Sequence, residues 1–222
     1  RKATAGKPAI IGLVGFADRL RVIWQAVRND DPFADWWLVK VHDALERVRE
    51  RIRAEQAALD AQFEQLRALD ITVAESMKPY RIALQFANPY AYRGAQLIAE
   101  YDTFVRTLLT AQHVGVLSGS AMQGLLNTNA RKIRGTFALA QGYHFLGIDR
   151  AALNQGTANA SRARQIMGEV PQDVLNGTHQ APLLPRKVRC PKGAASHIDL
   201  KPVESTPTAA VVPLLKDDIG SI

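Results

Sequence analysis

Cysteine is nearly absent: Cys190 is the only one in 222 residues. That excludes an internal disulfide and a multi-cysteine metal site, and it fits a reducing, cytoplasmic setting. Long apolar runs are missing too. No stretch reaches the roughly 18 consecutive apolar residues that a membrane helix needs, and Arg1 to Val14 has no long apolar core of a signal peptide, so no membrane association is expected. The five histidines, His42, His113, His144, His179 and His197, show no paired-ligand spacing. No G-x-S-x-G or phosphate-binding loop occurs, and the glycines at 12 and 15 lack the third glycine of a dinucleotide loop. These absences leave no recognisable catalytic site, so no enzyme activity, metal, cofactor or small-molecule substrate is expected.

What is present is an ordinary globular composition, 47% hydrophobic and 22% charged, which predicts that most of the chain packs into a core. Residues 1–169 read as one mostly helical domain, and residues 170–222, rich in proline and without periodicity, read as a disordered tail. The net charge of +7 fits a polyanionic partner. It is concentrated: Arg131, Lys132, Arg134, Arg150, Arg162 and Arg164 lie between residues 130 and 165, against only Asp149.

Residues 9–15 suggest a short buried strand or extended arm. Phe16, Leu20, Ile23, Trp24 and Val27 then have helical spacing, stopped by Asn29 to Pro32. Asp31 and Pro32 fit the cap and first turn of a long helical arm over 33–69, whose narrow seam suggests one neighbouring helix and whose charged faces read as solvated. Trp24, Trp36 and Trp37 read as packing residues. Asn88 and Pro89 open a further helix, Gly115 stops it, and Ser118 caps the next, with a break near Asn127 to Asn129. Asp149 would cap a last helix running to about Met167.

Tyr80 to Phe86 alternates, with Tyr80, Ile82, Leu84 and Phe86 on one face and Arg81, Ala83 and Gln85 on the other, so a strand is expected there. Its partner could be residues 71–74 or the same strand of a second chain. In the second case a symmetric dimer would present a two-stranded ribbon that fits the DNA major groove. Arg81 could bond guanine, Gln85 adenine, and Ala83 could touch a thymine methyl. Ser118, Gly119 and Ser120, at a helix start, would clamp a phosphate. The plainer alternative is an edge strand of a small hairpin, with Arg81 and Gln85 solvated and Ser118 an ordinary cap.

The blocks Gly6 to Ala17 (GKPAIIGLVGFA), Asp35 to Trp37 (DWW), Phe86 to Tyr90 (FANPY) and Gln141 to Gly147 (QGYHFLG) resemble those of the AcaB-type family of integrating conjugative element proteins. The resemblance covers about residues 6–170. It implies a transcriptional regulator of conjugative transfer that binds double-stranded DNA as a homodimer through a ribbon-helix-helix unit, over 80–140 here. The fold expected is therefore mostly α, with long antiparallel helices around a short β-ribbon followed by two helices. Arg81, Ala83 and Gln85 would read bases, Ser118 to Ser120 would position phosphate, and Arg131, Lys132 and Arg134, with the rest of the basic cluster, would supply general attraction. The competing expectation, from another class, is a helical adaptor or assembly protein of the transfer apparatus.

Overall fold

The computed structural model describes residues 10–65, 72, 73, 75 and 85–186. Four helices form the body: α1 (Leu13–Arg28), α2 (Pro32–Gln65), α3 (Pro89–His113) and α4 (Gly119–Leu139). Three short ones follow, α5 (Arg150–Asn154), α6 (Ala158–Met167) and α7 (Gln172–Leu175).

Phe16, Leu20, Ile23 and Val27 recur every three or four residues, so α1 buries one continuous stripe. At its end Asp30 adopts a left-handed φ of 64° and reverses the chain. Asp31 Oδ1 then accepts the N–H groups of Phe33 at 2.8 Å and Ala34 at 3.2 Å, capping α2, and Pro32 occupies the first turn, where a missing N–H costs nothing. α2 is the spine. Its first third is apolar around most of its circumference, so it packs against α1, α3 and α4 rather than a single neighbour.

Ion pairs and a hydrogen bond set the register of this packing. Glu46 meets Arg93, Arg49 meets Glu100 and Gln56 meets Thr107, so α2 and α3 run parallel. Arg49 holds Glu100 with Nε at 2.8 and 3.0 Å and Nη2 at 2.6 Å. Hydrogen bonding from that guanidinium keeps the carboxyl below its ordinary range. Glu55 meets Asn129 and the Trp37 indole N–H reaches Leu139 O, so α4 runs antiparallel to both. α1 crosses close to α3 at Gly94, where an added Cβ would stand 2.8 Å from Phe16 Cε1. Phe16 is itself stacked on Phe137 at 4.5 Å.

The expected β-ribbon is corrected: no strand or sheet occurs among the described residues. Of the strand foreseen over 80–86, residues 80–84, with Arg81 and Ala83, lie outside the described residues. Gln85 and Phe86 are not in a strand, and neither are residues 72 and 73 of its expected partner. A short alternating segment needs a ladder to become a strand. Instead the Phe86 ring packs edge-on against Tyr92 of α3 at 5.2 Å.

Two further expectations differ. The single helix from Asp149 to Met167 is two, because Gly156 turns left-handed at φ 66° and Thr157 caps a new start. The tail expected from residue 170 is packed as far as 186, since Val170, Val174 and Ala181 are buried and Leu183 N–H donates to the Tyr90 hydroxyl at 3.1 Å. Gly168, at φ 86°, ends α6, and Pro171 precedes the short α7, so the prolines there do not prevent packing. Residues 187–222 lie outside the described residues.

A polar knot holds this C-terminal part to the α1–α2 turn. Tyr143 donates its hydroxyl to Asp31 Oδ2 at 2.6 Å, and Arg150 bridges Asp30 and Asp35 while its Nε–H donates to Leu175 O at 3.3 Å. Asp31 and Asp35 are each only 3% exposed. Burial, against the hydrogen bonds that favour ionisation, raises the Asp31 carboxyl from 3.8 to about 6.

Two outcomes are expected. Gly94→Ala should lose about 1–3 kcal/mol of stability in urea unfolding, because Phe16 has no room to retreat from the new methyl; an unchanged midpoint would mean that the ring moves aside. The native state retains the Asp31 proton to higher pH than the unfolded chain, so this group's stabilisation is full below about pH 4 and lost as pH rises through about 6. Asp31→Asn, which keeps the cap oxygen, should flatten that decline, worth on the order of 2 kcal/mol, in unfolding curves recorded from pH 4 to pH 8.

Candidate nucleic-acid interface

α3 and α4 form a hairpin whose corner is built by backbone chemistry. Gly115 takes φ 79°, and the N–H groups of Val116 and Leu117 both return to Ala111 O, at 2.8 and 3.1 Å. Ser118 then caps α4, its Oγ accepting from Ala121 N–H at 3.2 Å and lying 3.1 Å from Ser120 Oγ. Ser118, Gly119 and Ser120 are all exposed. The first N–H groups of any helix lack an intrahelical acceptor and carry partial positive charge, so this corner presents hydrogen-bond donors to solvent.

α4 contains no Asp or Glu anywhere from Gly119 to Leu139. Arg131, Lys132 and Arg134 are exposed and form no ion pair among the described residues. Their setting contrasts with Arg49, Arg51, Arg53, Arg93 and Arg106, each paired to a carboxylate. The wider basic cluster divides in the fold. Arg150 is 18% exposed and committed to Asp30 and Asp35, and Arg164 lies beside Glu169 at 3.3 Å. Arg162 is exposed. The charge that faces solvent from α4 is therefore Arg131, Lys132 and Arg134. Gln85 is exposed and lies in sequence just before α3.

The opposite face of α4 is fixed to the body. Ile133, Thr136 and Phe137 are buried, and Asn129, 0% exposed, donates to Glu55 at 2.5 Å and to Leu125 O at 3.1 Å. Arg51 holds the other side of Glu55 at 2.7 Å. The break expected near Asn127 to Asn129 does not occur, because Asn129 turns its amide toward α2 and leaves the helix ladder intact. Tyr101 of α3 adds a hydroxyl bond to Leu126 O at 3.0 Å.

Sequence reasoning missed Gln123 and Asn127, which are exposed on the side of α4 that also carries Arg131 and Arg134. The signal was available: positions 123, 127, 131 and 134 recur at four, four and three residues, which sets them on one helical face. Elsewhere, a cleft of about 250 Å³ beside α5, α6 and α7 is lined by Arg150, Arg164, Asn154, Gln172 and Asn176, with no carboxylate. Among the described residues no group of three His, Cys, Asp or Glu side chains could hold a metal ion, and no helix is long and apolar enough to cross a membrane.

A protein-family model described as "Transcriptional regulator AcaB" matches residues 1–187. No curated protein and no solved structure matches the chain.

The seat of α4 makes a charge-specific prediction. Asn129→Asp sets a second carboxylate against Glu55 in a buried contact and should cost about 2–4 kcal/mol at pH 7. Protonation of either carboxyl in acid removes the repulsion, so the loss should be smaller at pH 4 than at pH 7. A loss of equal size at pH 4 and pH 7 in chemical unfolding would show that shape, not charge, governs the contact.

Proposed function

We propose that this chain, which belongs to the AcaB family of transcriptional regulators, acts by binding duplex DNA through α4 and the corner that precedes it. Arg131, Lys132 and Arg134 supply attraction to the phosphate backbone. Ser118, Gly119 and Ser120 offer backbone N–H and hydroxyl donors to one phosphate beside them. The observation that carries this is the charge of α4: a 21-residue helix without a carboxylate, whose three cations are exposed and unpaired by any acid of the described residues. A helix fits the width of the major groove, and phosphate contacts fix its register without specifying sequence.

The regulated genes belong, in this proposal, to a conjugative mobile element, on the strength of the four sequence blocks quoted above. The active species is a homodimer. Tyr92, Ile98 and Leu109 of α3 leave large apolar surface exposed, from 37% to 48% each, which a second copy would cover.

The test is salt-dependent binding. The wild-type protein should bind duplex DNA with an affinity that falls steeply with salt, each phosphate contact adding about 0.9 to the logarithmic slope. Replacing Arg131, Lys132 and Arg134 together by Ala should lower that slope by about 2–3 and weaken binding on every sequence alike. An unchanged slope in a folded triple variant would sink the assignment of α4.

A further inference from the structure

We infer that Gln123 and Asn127 of α4 read base edges in the major groove, with adenine as the base each selects. The inference rests on α4 binding DNA as proposed above and adds which residues confer selectivity. Gln123 and Asn127 stand one helical turn apart, about 6 Å along the axis at 1.5 Å per residue. That spacing spans one to two base-pair steps. At about 100° per residue they share an arc of about 120° with Arg131, Arg134, Gly124 and Gly135. Both amides are exposed, and neither has a partner among the described residues. No large exposed apolar side chain lies on α4.

The glycines make the independent case for close approach by something outside the chain. A glycine inside a helix costs about 1 kcal/mol relative to alanine. Gly124 and Gly135 both sit inside α4, and a Cβ built on either meets nothing within 4 Å, so no packing within the body requires them. At Gly94 and Gly142, by contrast, a ring fills the space a Cβ would need, at 2.8 and 3.2 Å. Gly124 and Gly135 both fall at the same edge of this arc, and positions there that lack a side chain let the helix backbone sink toward the floor of a groove, where polar side chains reach base edges. A carboxamide offers one acceptor and one donor side by side, and adenine presents the matching N6 donor and N7 acceptor in the major groove. The cations on the same arc then contact phosphate on the groove walls.

The probe is a pool of random-sequence duplex DNA, enriched over several rounds by the purified full chain, with circular dichroism confirming that each variant is folded. The wild-type protein should enrich a motif with adenines at one or two positions. Gln123→Ala with Asn127→Ala should retain the pool with the wild-type salt slope but enrich no motif, or one degenerate at those positions, a loss of selectivity of at least thirtyfold. Gln123→Arg should change an enriched adenine to guanine, the base that pairs with a guanidinium in the same groove. The same motif enriched by wild-type protein and by the double variant overturns the inference while leaving DNA binding by α4 intact. A wild-type protein that retains no duplex DNA overturns both.

Discussion

The α1–α2 turn joins the two halves of the molecule through one concentration of buried charge. The Arg150 guanidinium bridges Asp30 and Asp35, and the Tyr143 phenol donates to Asp31. Asp31 serves twice, as the cap of the long helix and as the acceptor of Tyr143. Breaking one partner of such a group leaves another buried without compensation, which is far costlier than losing a surface ion pair. Arg150 carries the constraint onward to the carbonyls of Val174 and Leu175. The segment from Tyr143 to Arg186 is thus tied to the start of α2.

α2 transmits that order to the rest. Salt bridges and a buried amide, not apolar contact alone, specify how α3 and α4 sit along it. Polar contacts at fixed spacing select one register where an apolar seam would accept several. α4 consequently has two unlike faces. One is held by Ile133, Phe137 and the Asn129–Glu55 contact, and the other is free of acid and rich in donors. A helix held rigidly on one side is suited to offering the other side to a large partner, since little further ordering is needed on binding.

Much of the helical framework was legible locally. The Asp31–Pro32, Asn88–Pro89, Ser118 and Asp149 starts each rest on a side chain bonding an N–H two or three residues ahead, a contact that sequence specifies by itself. The β-ribbon was not, because alternation over seven residues states only which faces would differ, whereas a strand exists only if a ladder partner is present. The Gly156 turn splits the last expected helix, and its residue type is the local signal for it. For the candidate interface, the basic residues of α4 were readable as charge, but Arg150 looked the same in sequence and is taken up by two aspartates more than a hundred positions away.

The sequence by itself determined the helix starts, the apolar stripes and the basic character of residues 130–165, since each depends on neighbours within a turn or two. It also carried the blocks by which the family could be suspected. Only the tertiary structure decided which arginines are spent on internal carboxylates and which remain at the surface, and that Asn129 faces α2 while Gln123 and Asn127 face out. It also decided that residues 170–186 are part of the body. Those outcomes depend on pairings between distant segments, where burial and charge are settled jointly and no local pattern records the partner.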